Sequence, residues 1–146
     1  MAFVLDASMT MTWCFEDERT PESDAVGSTL ARADDQATVP AVWSFEVANA
    51  ALRGLRRHRL VPAQVLSFLE TLDRFPISHD NPLRPEAVTH LLKVARDHEL
   101  SAYDAAYLEL AERLGLPLAT LDARLRAAAA QAGVPMFLPS GLRGNS

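Results

Sequence analysis

The sequence predicts one α/β domain: a small parallel sheet with helices packed on both faces. Three observations predict it. Short, uniformly apolar runs alternate with longer stretches of helical periodicity, the pattern of strands buried on both sides. Several of those runs stop at a proline or an acid, where a strand cannot continue. No linker, repeat or low-complexity tract divides the 146 residues, a length suited to one core. The domain is placed at 1–140 and a flexible tail at 141–146.

The elements follow in order. Phe3-Val4-Leu5 is a buried strand that ends at Asp6. Ser8 to Glu18 is predicted as a helix. Pro21 to Asp34 is another, with proline early and acids in its first turn. Gln36 to Val39 is a strand stopped by Pro40, and Pro40 stands before a long helix, Ala41 to Arg59. Pro62 opens the helix Ala63 to Arg74. Phe75 to Ser78 is a weak strand, followed by a turn at Asp80-Asn81-Pro82. Helices are predicted from Pro85 to Glu99 and from Ser101 to Leu114, the latter ended by Gly115. Leu118 to Leu121 is a strand, Asp122 to Ala132 an alanine-rich helix ended by Gly133, and Val134 to Leu138 a last strand.

Composition narrows the function. Apolar content of 49% and charged content of 23% are ordinary for a soluble domain. No secretory signal is expected, because Asp6 cuts the first apolar run short. The cytoplasm is the expected compartment, with no membrane association. Cys14 is the only cysteine, so an internal disulfide and a cysteine-built zinc site are excluded. His58, His79, His90 and His98 show no metal-ligand spacing and read as surface residues. A net charge of −5 argues against a non-specific nucleic-acid coat but leaves room for a local basic patch. Thirteen of the fourteen bases are arginines, Lys93 being the exception, and Arg53, Arg56, Arg57 and Arg59 lie together. Arginine suits bidentate phosphate contacts.

Four acids are out of place. Asp6 and Asp122 each end a predicted strand, where open parallel sheets bind ligands. Glu46 interrupts an apolar helical stretch, and Asp104 begins a core-facing one. Carboxylates are seldom buried unless paired or bound to a cation, so their convergence would demand a metal. Each also has an ordinary reading. Asp6 or Ser8 could cap the first helix, and Asp122 the last. Asp104 stands three residues after Ser101, like a capping box with Asp for Glu. Glu46, in mid-helix beside Asn49, could face solvent and pair with Arg53.

With those residues in view, the chain resembles the PIN-domain ribonucleases, especially the VapC-type toxins of bacterial toxin–antitoxin pairs. Val4-Leu5-Asp6-Ala7-Ser8 resembles the family's opening motif. Glu46-Val47-Ala48-Asn49-Ala50-Ala51-Leu52 resembles its helical Glu motif. Ser101-Ala102-Tyr103-Asp104-Ala105-Ala106-Tyr107-Leu108 is the most specific match, and Thr120-Leu121-Asp122 resembles the last acidic motif. Arg124 stands where many relatives carry a further acid. The resemblance implies a sheet of about five parallel strands, Mg²⁺ or Mn²⁺, an RNA substrate, a homodimer and a cognate antitoxin that blocks the site.

Oxygen-only donors select hard cations such as Mg²⁺ or Mn²⁺ over zinc. Asp6 and Asp104 are expected to bind the metal most directly, with Asp122 and Glu46 completing the cluster partly through water. Ser8, Asn49 and Thr120 are expected to support them, and Arg53, Arg56, Arg57 and Arg124 to contact phosphates. A metal-activated water would attack phosphorus and leave a 5′-phosphate, so the RNA 2′-hydroxyl would not be the nucleophile. Two readings compete with an endoribonuclease. One is a non-catalytic PIN-like domain that binds RNA or protein, favoured by the acidic net charge and Arg124. The other, a phosphoryl-accepting domain with Asp6 as acceptor, needs a lysine at the pocket, and Lys93 lies mid-helix.

Overall fold

The computed structural model describes residues 1–80 and 85–142. Strand β1 (Ala2–Leu5) leads through α1 (Ala7–Met11), a 3-10 turn (Glu16–Glu18) and α2 (Pro21–Ala31) to β2 (Gln36–Val39). Helices α3 (Val42–Arg56) and α4 (Pro62–Arg74) lead to β3 (Ile77–His79). Helices α5 (Pro85–Asp97) and α6 (Ala102–Leu114) lead to β4 (Leu118–Ala119), and α7 (Ala123–Ala132) follows.

The four strands are all parallel in the order β3-β2-β1-β4. Crossovers between parallel strands are right-handed almost without exception. The chain moves from β1 to β2 to β3 in one direction, then returns past β1 to β4. Right-handed crossovers therefore put α1–α4 on one face and α5–α7 on the other. The contacts agree: α1 packs on α3, α5 on α6, and α6 on both α7 and β1. The helices that follow β1 and β4 leave on opposite faces, which opens a crevice at the carboxyl ends of these two neighbours.

The buried sequence runs explain the layers. Phe3, Val4 and Leu5 are fully buried, each burial contributing about 1.5–3 kcal/mol of transfer free energy. Phe137 stacks on Phe3 with centroids 3.8 Å apart. Helix α6 is enclosed by β1, α5 and α7, so Ala105 and every residue from Tyr107 to Ala111 are buried. Thr20 and Ser23 form a reciprocal capping box at α2, and Pro21 occupies its first turn. Gly115 and Gly133 adopt positive φ at the ends of α6 and α7, as their positions predict.

Three expectations are corrected. The first helix does not reach Glu18 but stops at Met11. Trp13 leaves it to donate from Nε1 to the Ser23 carbonyl at 2.8 Å and to meet the edge of Phe75, and Phe15 is drawn into the core. Tertiary packing overrides helix propensity there. The fourth strand ends at Ala119 rather than Leu121, because the Thr120 hydroxyl takes the Asp122 N–H and turns the backbone out of the ladder. The expected fifth strand is reduced to one parallel bridge, Met136 to Leu118. Pro135 offers only its carbonyl, which accepts from Leu118, and a two-residue β4 has little edge to pair with. Asn81 and Pro82 of the expected turn, and 143–146 of the expected tail, lie outside the described residues.

Candidate active site

Asp6 directly follows β1 and is 6% exposed. It stands at the N-cap of α1 but makes no side-chain cap bond. Its Oδ2 instead accepts two short hydrogen bonds, from Ser8 Oγ and Thr120 Oγ1, both at 2.6 Å. Ser8 Oγ accepts the Leu121 N–H at 3.1 Å, and Thr120 Oγ1 accepts the Asp122 N–H at 3.0 Å. Each hydroxyl is thus oriented by a backbone donor and spends its own proton on Asp6. The bonds tie the ends of β1 and β4 together across the crevice. Among the described residues, no donor reaches Asp6 Oδ1.

Asp122 lies three residues past β4. Its Oδ1 caps α7 by accepting the Arg124 and Leu125 N–H groups at 2.9 and 3.1 Å. Asp104 lies in the first turn of α6, whose cap is Ser101: the serine hydroxyl accepts the Asp104 N–H at 3.1 Å. The capping reading of Asp122 therefore holds without excluding a site role, whereas Ser101 rather than Asp104 caps α6. Glu46 is half-buried on α3 and does not pair with Arg53. Its Oε1 accepts from the buried Tyr107 hydroxyl at 2.5 Å.

The electrostatics place the four acids in one field. Burial raises the Asp6 carboxyl above its ordinary value against the two hydroxyl donors, and the charges of Asp104 and Asp122 add to it. Burial also raises Glu46, opposed by Tyr107 and reinforced by Asp6 and Asp104. Asp104 is raised by burial and by Asp122, while Ser101 and the Arg124 guanidinium act the other way. A cleft of about 380 Å³ brings Glu46 and Asp122 to shared walls with Ser8, Ala50, Arg53 and Leu121. Asp6, Glu46, Asp104 and Asp122, from four segments, thus share one electrostatic field, and two of them, Glu46 and Asp122, line the cleft.

This donor set fits a hard divalent cation. Every donor is oxygen, one Asp6 oxygen is uncommitted, and burial, reinforced by neighbouring negative charge, disfavours ionisation of Asp6, Glu46 and Asp104. Among the described residues no group of three His, Cys, Asp or Glu side chains is placed so that it could hold a metal ion.

The other expected contacts divide. Arg53 lines the cleft and has no ion pair among the described residues. Arg124 is exposed, with its charge felt by Asp104. Arg56 and Arg57 are exposed at the end of α3, away from the cleft walls. Asn49 is also exposed and bonds to none of the carboxylates. Arg59 is engaged elsewhere, with Asp17 and Glu18 and over the Phe15 ring.

Sequence reasoning missed two residues. Tyr107 was legible only as a core aromatic, though a lone hydroxyl three residues past Asp104 on the same helical face is a signal. Arg126 lies within the alanine-rich helix, where no local pattern marks it. Its Nε donates to the Thr120 carbonyl at 2.9 Å, and its Nη2 donates to both Glu22 oxygens at 2.7 and 2.9 Å. It therefore anchors the turn that carries Thr120 and Asp122 to α2.

Comparisons with known proteins identify the family. Ribonuclease VapC3 of Pyrobaculum aerophilum is 30% identical over 125 residues, covering 86% of this chain and 92% of that protein. The crystal structure of PAE2754, also from Pyrobaculum aerophilum, superposes with a TM-score of 0.66 at 26% identity, covering 88% of this chain and 79% of that one. The family model described as PIN domain matches residues 3–131, which include all four acids. The chain belongs to the PIN domain family.

Proposed function

We propose that this protein is a metal-dependent endoribonuclease and the toxin of a toxin–antitoxin pair. The observation that carries the reading is the electrostatic field shared by Asp6, Glu46, Asp104 and Asp122, with Glu46 and Asp122 lining one cleft. The likeness to Ribonuclease VapC3 supports it. Asp6 and Asp104 hold Mg²⁺ or Mn²⁺ most directly, and Glu46 and Asp122 complete the set. A cation bound there supplies a water of lowered pKa and offsets charge on the phosphoryl oxygens.

The chain's own residues do the rest. Ser8 and Thr120 occupy Asp6 Oδ2, which turns Oδ1 toward the ligand. Asp122 spends Oδ1 on the α7 cap and offers its other oxygen. Arg53, on the cleft wall, binds a substrate phosphate, and Arg124 binds another beside Asp104. The reaction itself makes no use of the 2′-hydroxyl, so preference for RNA resides in the groove.

Partners follow from the surface. An apolar groove of about 640 Å³ runs between α3 and α4, walled by Val47, Ala51, Leu55, Val65, Leu69 and Leu72. It suits an apolar segment of the protein antitoxin. Exposed Phe45, Val88, Leu92 and Tyr103 suit a homodimer contact. Among the described residues no helix is long and apolar enough to cross a membrane.

The test is cleavage of a defined RNA by purified protein with Mg²⁺, with Mn²⁺ and with chelator. The reading expects metal-dependent cuts leaving 5′-phosphates, lost in Asp6→Ala and Asp104→Ala variants that keep wild-type circular dichroism. Cleavage unaffected by chelator, or equal RNA effects from wild type and Asp104→Ala, would refute it.

A further inference from the structure

Glu46 and Arg53 share one cleft and stand seven residues apart on α3, close enough to invite an ion pair. They do not form one. Glu46 is instead held from the opposite side of the crevice by Tyr107 of α6. Tyr107 is completely buried, and its ring is fixed among the core residues of α6. A buried hydroxyl needs a partner, so its bond to Glu46 satisfies the phenol as well as the carboxylate. Among the described residues, Tyr107 is the one side chain hydrogen-bonded to Glu46.

We propose that Tyr107 is a positioning residue: its hydroxyl holds Glu46 inward beside Asp6 and away from Arg53, keeping the carboxylate for the cation and the guanidinium for phosphate. The inference rests on the metal-site reading above and adds to it a residue that touches neither metal nor substrate. Without the hydroxyl, Glu46 is free to swing along α3 toward Arg53. Both groups would then be lost to function together, the acid from the cation site and the base from the phosphate.

Tyr107→Phe tests this, because it removes one oxygen and keeps the ring in its core slot. Calorimetric titration of the full-length protein with Mn²⁺ alone, without RNA, is expected to show affinity about 10–100-fold weaker in Tyr107→Phe, the range for losing a group that orients a metal ligand. Adding Tyr107→Phe to Glu46→Gln should change Mn²⁺ affinity no further, because both act through one carboxylate. Activity should show a raised KM for RNA beside the reduced kcat, and the KM part should vanish in an Arg53→Ala background. Wild-type Mn²⁺ affinity in Tyr107→Phe, or additive effects of the two substitutions, would overturn the inference.

A second measurement separates this from the metal reading. Urea unfolding of wild type, Tyr107→Phe, Glu46→Ala and the double variant, all metal-free, forms a cycle independent of any cation. A non-additive cycle supports the Tyr107–Glu46 contact even if the wild type binds no Mn²⁺, in which case only the metal reading fails. Glu46→Ala leaves no acceptor for the phenol, so an additive cycle overturns the positioning role whatever the metal result.

Discussion

Asp6 concentrates the residue-scale physics of this protein. Its carboxylate is buried, repelled by Asp104 and Asp122, and sustained by two hydroxyls. Its folded pKa is raised, so the ionised form costs stability above that pKa, and the cost disappears as pH falls through it toward the ordinary value of 3.8. Asp6→Asn, metal-free, should therefore be more stable than wild type at pH 7. The gain should shrink as pH is lowered into the carboxylate range, as urea melts at two pH values will read. The same variant should lose more activity than the roughly 10–100-fold typical of removing an outer hydrogen-bond partner. Ser8→Ala and Thr120→Val should fall within that range, measured as Mn²⁺ affinity. Asp6 and Asp122 were legible because each follows an apolar run, and Asp104 because it begins a core-facing helical stripe. Tyr107 was not, because the partner of its hydroxyl stands 61 residues away and no local pattern announces it.

At the scale of elements, hydrophobic periodicity and punctuation revealed the helices and most of the strands, and tertiary demands set the ends. Trp13 and Phe15 pull the chain out of α1, Thr120 pulls it out of β4, and Pro135 limits the last segment to one bridge. Gly54 shows the same control over α3. A Cβ there would lie 2.6 Å from Leu60 Cδ1 and 2.9 Å from Phe15 Cζ. Gly54→Ala should therefore destabilise by about 1–3 kcal/mol through overpacking, despite the better helix propensity of alanine. Thermal unfolding will show the sign. Arg126 joins α7, the β4 turn and α2 in one contact set. As a partly exposed pair, Arg126–Glu22 should contribute no more than about 1 kcal/mol to stability.

For the whole molecule, the topology makes the site. Strand order β3-β2-β1-β4 reverses direction at β1, Asp6 and Asp122 follow the two strands that border the crevice, and Glu46 shares a cleft with Asp122. The alternation of strands and helices made that architecture readable. The order of the strands was not, since it depends on which edges pair. With a net charge of −5 over the chain, the proposed RNA substrate would have to be attracted locally rather than globally. Arg53→Ala should weaken RNA binding across sequences and reduce the slope of log affinity against log salt by about 1, one phosphate contact's share. Arg56→Ala and Arg57→Ala, away from the cleft walls, should change it less.

Anomalous diffraction from crystals soaked in Mn²⁺ tests the shared cation site most directly. A peak bounded by Asp6 and Asp104, with Glu46 and Asp122 turned toward it, is the result expected. Full Mn²⁺ exposure with no density among these carboxylates, or with the ion held only elsewhere, would contradict it.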